Sequence, residues 1–202
     1  MNATAATALI DQELAELGTS YVDMLMVHHR CQTENDMEKV WRAMEVAKRE
    51  GKARHLGVSN FNTLDLSALM AKATEPIEAN EARFGVGAMD YEVLAFMEAH
   101  SIIPISYSSL AEGTDHSAVI KVAAAHNISA AQVMYAYVSQ HNISVLSTFN
   151  PNHMNWMQQD VAIFDITLTP TDITELDKIQ TGKRSCPDCW TLGESVLYQP
   201  AS

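Results

Sequence analysis

GKARHLGVSNFN, Gly51–Asn62, is the stretch that decides the fold. Its glycine closes a helix. Upstream, ENDMEKVWRAMEVAKREG places Met37, Val40, Trp41 and Met44 on one helical face, with Lys48 and Arg49 in the last turn. Next, ARHLGVSN reads as a strand. After it, TLDLSALMAKA reads as a helix with Thr63 as its N-cap. Helix, strand and helix thus follow one another with short polar turns, which is the βαβ rhythm of a parallel α/β sheet.

The same rhythm extends in both directions. Towards the N-terminus, residues 5–17 read as a helix ended by Gly18, and YVDMLMV as a short buried strand. Towards the C-terminus, PIEAN is a short strand and DYEVLAFMEAH a helix capped by Asp90. IIPISYSSL is a strand running into a loop, and two helices, DHSAVIKVAAAH and SAAQVMYAYVSQH, meet at a turn on Asn127. ISVLST is the fifth strand. PNHMNWMQQD opens a helix with proline in its first turn, and TPTDITELDKIQ is the last clear helix. The Met-rich faces (Met37 and Met44, Met70, Met97) read as core packing. Strand count alone favours an open doubly wound sheet. However, neither G-x-G-x-x-G nor G-x-x-x-x-G-K-[ST] occurs to support a phosphate loop of that class.

Composition bounds the function. With 47% apolar and 19% charged residues, the 202-residue chain has the make-up of a globular protein with a real core. No apolar run approaches the length of a membrane span, and the start of the chain lacks the basic and apolar regions of a secretory signal. A formal charge of −12 disfavours nucleic acid as a partner. Three cysteines are too few for a disulfide framework, so a reducing, cytoplasmic setting is expected. Cys186 and Cys189, in CPDC, could form half of a zinc site with Cys31, His28 or His29. Two reduced thiols in an irregular tail are the simpler expectation.

Five motifs in order resemble the aldo-keto reductases. They are LGTSYVDMLMVHH (Leu17–His29), GKARHLGVSNFN, ISYSSL (Ile105–Leu110), HNISAAQVMYAYVSQHNISVLST and IFDITLTPTDITELD. The resemblance implies a (β/α)8 barrel, extended NADP(H) as cofactor and reduction of a small carbonyl compound. It matches Val22–His28 to the fourth barrel strand. The expected architecture is therefore an incomplete TIM-type (β/α) barrel of about five parallel strands with surrounding helices over residues 1–182, followed by an irregular tail over 183–202.

Within that resemblance, His28 matches the histidine that orients the substrate carbonyl. Ser59 and Asn60 match residues that bind the nicotinamide carboxamide, although Asn60 could instead cap the next helix. Tyr107 matches the aromatic on which the nicotinamide stacks, and Ser108 and Leu110 follow it in the cofactor loop. The departures are as informative. The family's proton-donor Tyr, its Lys and its Asp have no assignable counterparts. Glu81 stands where the family has a nicotinamide-site Gln, so a group that only accepts hydrogen bonds replaces one that also donates. The family's PKS segment, whose following Arg helps hold the 2′-phosphate, reads Leu146-Ser147-Thr148 here, with His153 and Met157 further on.

Three functions compete on these residues. The first is a protein acting on a small carbonyl metabolite, with ordinary NADPH-dependent reduction impaired. The second is a cofactor-independent isomerase, lyase or cyclase using His28 and Glu81 as acid and base. The third is a non-catalytic scaffold that self-associates through exposed strand edges at Val22–Val27 and Ser144–Ser147, as a homo-oligomer.

Overall fold

The computed structural model describes residues 3–179 except 32, 112 and 149. The Cys186–Cys189 pair and the tail over 183–202 lie outside the described residues. The elements alternate as the sequence suggests: α1 (Ala3–Leu17), β1 (Val22–Val27), α2 (Glu34–Arg49), β2 (Ala53–Ser59), α3 (Thr63–Met70), β3 (Ala79–Ala82), α4 (Tyr91–Ala99) and β4 (Ile103–Ser106). Then come α5 (Ser117–His126), α6 (Ala130–Gln140), β5 (Ser144–Val145), α7 (Met154–Val161), a 3-10 turn (Ala162–Asp165) and α8 (Pro170–Asp177). Among the described residues the strands are hydrogen-bonded in the order β1-β2-β3-β4-β5, five where a complete (β/α)8 barrel has eight. Among the described residues no helix is long and apolar enough to cross a membrane.

Two compact units share the chain. Unit 1 comprises residues 3–81 and 92–102, and unit 2 residues 82–91 and 103–179. In unit 1, β2 is central and pairs in parallel with β1 (Val27↔Val58) and with β3 (Ser59↔Glu81). Leu56 and Val58 on β2 are fully buried, and Trp41 of α2, Leu66 of α3 and Met97 of α4 are also core residues. Each such side chain contributes roughly 2 kcal/mol relative to exposure. Gly57 fits a narrow space. A Cβ there would stand 3.1 Å from the Ala79 carbonyl oxygen and from Met26 Cε, and 3.2 Å from Met24 Sδ.

One charge lies deep in unit 1. Glu45, on the buried face of α2, is 1% exposed. It accepts the backbone N–H groups of Thr74 (2.6 Å) and Glu75 (3.0 Å) and is paired with Arg42 at 2.9 Å. Burial alone would push its carboxyl up. The two N–H groups and the guanidinium outweigh that and hold it at about 2. The carboxylate thus fastens α2 to the loop that leads into β3.

Unit 2 packs α5, α6 and α8 around Val119, Val133, Met134 and Leu176. Asn127 ends α5 in the left-handed region, φ 54°, as its turn position requires. Tyr91 and Tyr137 both donate to Asp177, at 2.7 and 2.6 Å. Burial, and then that carboxylate, raise the Tyr137 phenol. It serves as a buried strut.

Four local expectations need correction. Asn62, not Thr63, caps α3, because its side chain takes the Asp65 N–H while Asp65 returns a bond to the Asn62 N–H. The third strand is residues 79–82 rather than 76–80, since its register is set by pairing with Gly57–Ser59 and not by the Pro76-Ile77 pair. The fifth strand is only two residues long. Pro151 precedes α7, which begins at Met154 after His153.

Candidate active site

The ends of β1, β2 and β3 bring four of the expected residues to one level of unit 1. Val27 lies opposite Val58, so His28 follows β1 where Ser59 ends β2, and Ser59 lies opposite Glu81 on β3. Parallel strands whose C-terminal ends finish together are where barrel enzymes place their chemistry.

Hydrogen bonds lock this corner. The Ser59 hydroxyl donates to the Glu81 carbonyl at 2.9 Å, and the Asn60 N–H donates to the same oxygen at 2.8 Å. Asn60 takes φ 62°, a conformation that asparagine tolerates better than most residues. That turn sends its side-chain amide back across the strand ends, to the His28 carbonyl (3.2 Å), to His29 Nδ1 (3.4 Å) and to Ser59 Oγ (2.9 Å). Asn60 therefore does not cap α3. It ties the β2 turn to the end of β1.

The side chains left to face a ligand are the imidazole of His28, which is exposed, and the carboxylate of Glu81, which is half-buried. Burial pushes the Glu81 carboxyl above the usual carboxylate range, and the nearby His28 pulls partly against that shift. The His29 ring packs against that of His28, with centroids 4.0 Å apart and planes tilted by 31°. Its own proton affinity is lowered by burial and then by His28. The corner therefore holds a carboxylate of raised basicity beside an imidazole, a pair suited to moving protons.

Tyr107, Ser108 and Leu110 lie in unit 2. The Tyr107 N–H donates to the Ala82 carbonyl at 3.2 Å. Ser108, φ 51°, turns the chain, and its carbonyl accepts the Ala111 N–H. Ser108 and Leu110 line a groove of about 610 Å³, together with Ser129, Tyr135, Trp156 and Asp160. Ser147 also lines it and donates to Asp160 at 2.5 Å. The half-exposed indole of Trp156 has His153 stacked on it, centroids 3.8 Å apart and planes within 7°. Trp156 and Asp160 stand in no motif that marks a site: the helical spacing in α7 belongs to Met154, Met157 and Val161, none of which is buried. His29, a zinc candidate in the sequence, instead meets the Asn60 amide through the backbone turn at Asn60.

A second cleft in unit 1, about 260 Å³, lies between α2 and α3 over the buried Cys31. Arg30 and Asp65 there are paired at 3.0 Å. Among the described residues no three His, Cys, Asp or Glu side chains are grouped to hold a metal ion.

The profile of the aldo/keto reductase family matches residues 1–181. The chain belongs to that family. Among curated relatives it is 27% identical to the Bacillus subtilis oxidoreductase YtbE, over 90% of this chain and 64% of that protein. It is 29% identical to the Escherichia coli methylglyoxal reductase YeaE, over 83% of this chain and 62% of that one. It spans slightly under two-thirds of the length of such relatives. Among solved structures, an aldo/keto reductase from Brucella melitensis superposes with a TM-score of 0.84 at 25% identity, covering 89% of this chain and 69% of that one. One from Klebsiella pneumoniae, solved with NADPH, gives 0.76 at 28% identity, covering 84% and 62%.

The family thus includes members that bind NADPH, and the residues of this chain fit that group poorly in two places. The Ser59 hydroxyl and the Asn60 amide N–H groups, which would serve a carboxamide, are engaged with Glu81, His28 and His29. In unit 2, the described Lys and Arg residues are Arg83, Lys121 and Lys178, and none lines the groove to meet a 2′-phosphate.

Proposed function

We propose that this chain acts on a small carbonyl metabolite by proton transfer at the strand-end corner, with NADPH-dependent hydride transfer impaired. The observation that carries this reading is Glu81, half-buried and of raised proton affinity, at the same strand-end level as His28.

The chemistry follows from the two groups. His28 donates a hydrogen bond to the carbonyl oxygen of the substrate and supports negative charge there as it develops. The Glu81 carboxylate removes a proton from the carbon beside the carbonyl, leaving an enol or enolate. Where the α-carbon carries a hydroxyl, the protonated Glu81 then returns that proton to the former carbonyl carbon while the α-hydroxyl's proton passes, through His28, to the former carbonyl oxygen, and the new C=O completes an isomerisation. Alternatively Glu81 delivers the proton to a β-hydroxyl, which leaves as water. Neither course needs a hydride. A proton-affinity shift of this sign suits a general base, since Brønsted behaviour rewards a base whose proton affinity approaches the working pH.

Solvent deuterium uptake tests the reading. The chain is incubated in D2O with dihydroxyacetone or methylglyoxal, without nucleotide, and exchange beside the carbonyl is followed by proton NMR. Exchange should be catalysed by the native chain and should fall about 100-fold or more in Glu81→Gln and in His28→Ala. Its rate should drop on the acid side at a pH above the ordinary glutamate value, because the base must be ionised. Absence of catalysed exchange, or full exchange in both variants, overturns the reading.

A further inference from the structure

We propose that the groove of unit 2 takes a nucleotide with a free ribose 2′-hydroxyl and turns away the 2′-phosphorylated form. The inference goes beyond the proton-transfer reading and does not depend on it. It starts from the misfit with NADPH described above and asks what the same lining would accept.

The lining combines three chemistries. Trp156 presents a half-exposed indole, already stacked on one side by His153, and such a surface stacks with a nucleobase. The Asp160 carboxylate accepts one hydrogen bond, from Ser147 Oγ, and retains further acceptor sites. A ribose 2′,3′-diol offers two O–H donors to such an oxygen pair, which is how dinucleotide sites recognise an unphosphorylated ribose. The first turn of α6 adds Ser129 and Ala131 to the lining. That helix start is closed by its own capping box, in which Ser129 and Gln132 exchange bonds, so it adds small and hydroxyl side chains to the lining.

A 2′-phosphate reverses the match at one point. It replaces an O–H donor with acceptor oxygens and adds nearly two negative charges. These would face the Asp160 carboxylate in a groove that no described lysine or arginine lines, on a chain whose formal charge is −12. A cationic groove would give the opposite preference.

Calorimetric titration of the full chain with four ligands decides the matter: NADH, NADPH, adenosine 5′-monophosphate and adenosine 2′,5′-bisphosphate. NADH and the monophosphate should each bind about tenfold or more tighter than their 2′-phosphorylated counterparts. A clear advantage of NADH over the monophosphate makes the ligand a dinucleotide, and equal affinities make it an adenine mononucleotide. Both results support the proposal. Equal or tighter binding of NADPH overturns it, as does no heat from either unphosphorylated ligand at millimolar concentration. Asp160→Asn should narrow the ratio towards one, and Trp156→Ala should weaken every ligand. An unchanged ratio in the first variant, or unchanged affinity in the second, places discrimination or binding elsewhere and also overturns the proposal. Circular dichroism checks that both variants fold. Because the exchange assay contains no nucleotide, failure of either inference leaves the other intact.

Discussion

The strand-end corner of unit 1 and the groove of unit 2 rest on different supports. In the corner, the hydrogen bonds that hold the chain at His28 and Glu81 end on backbone groups: Ser59 and Asn60 converge on the Glu81 carbonyl, and Asn60 reaches the His28 carbonyl. The groove instead takes Trp156 and Asp160 from α7, a two-turn helix with no buried side chain and no side-chain N-cap bond. The first arrangement ties the backbone at both residues to strand register, the kind of support that acid–base catalysis needs. The second sets out chemical groups along a surface, which suffices for recognition. Rigidity is therefore concentrated where protons would move.

Substitutions can break or sharpen that contrast, and the largest effect should come from Glu45. Replacing it with alanine leaves the Thr74 and Glu75 N–H groups without their acceptor and takes one acceptor from Arg42, which keeps the Lys72 carbonyl and the Thr74 hydroxyl. The expected loss is on the order of 3 kcal/mol in chemical denaturation. The same carboxyl gives a pH signature. Its proton affinity is depressed from 4.5 to about 2 in the folded chain, so the stability it lends is complete above pH 4.5 and fades as pH falls towards 2. Glu45→Gln should flatten that limb of the stability profile. A limb of unchanged shape would assign the acid sensitivity to other carboxylates.

Gly57→Ala comes next. The added methyl meets the Ala79 carbonyl, which cannot retreat without moving β3, besides two flexible Met side chains. A cost of roughly 1–3 kcal/mol is expected, with a fall in deuterium exchange because Glu81 rides on β3. Normal exchange in a destabilised variant would show that the corner tolerates displacement, and would weaken the contrast. Asn60→Gly should cost about 1 kcal/mol. It keeps the positive φ available and removes only the amide bonds, so its main effect should appear in exchange rate. Asp160→Asn should change stability by less than about 0.5 kcal/mol, because α7 contributes nothing to the core.

Much of the corner could be read from the sequence, and little of the groove. Strand ends carry their function in short runs such as HLGVSN and MLMVHH, where an apolar segment stops and polar residues follow. Those runs put His28 just past the end of β1, and Ser59 and Asn60 at the end of β2. Glu81 needed the resemblance, since ANEA has neither β-branched residues nor an apolar face. The strand exists because β2 supplies its register, and its buried Asn80 is matched to the Phe61 backbone. The cap of α3 was legible and overlooked: Asn62 and Asp65 stand at capping-box spacing. Glu45 lies on the buried side of α2, where a composition-based reading would put it in solvent. Its donors, the Thr74 and Glu75 N–H groups, are some thirty residues away in sequence. The groove depends on a pairing between Ser147 and Asp160 and on an exposed indole, and no periodicity encodes either.

The exposed character of α7 also bears on how the chain can change over generations. Apart from Gln159, which accepts bonds from Ser129 and Gln132, a helix with no buried side chain can exchange many of its residues at little cost to the few kcal/mol that keep a domain folded. Mutations there are filtered by the ligand alone. The corner has no such freedom, because each of its residues also belongs to the sheet. Drift in ligand preference should therefore run through Met154–Val161 while the strand ends stay fixed, so that a lineage could try new nucleotides one substitution at a time on an unchanged scaffold.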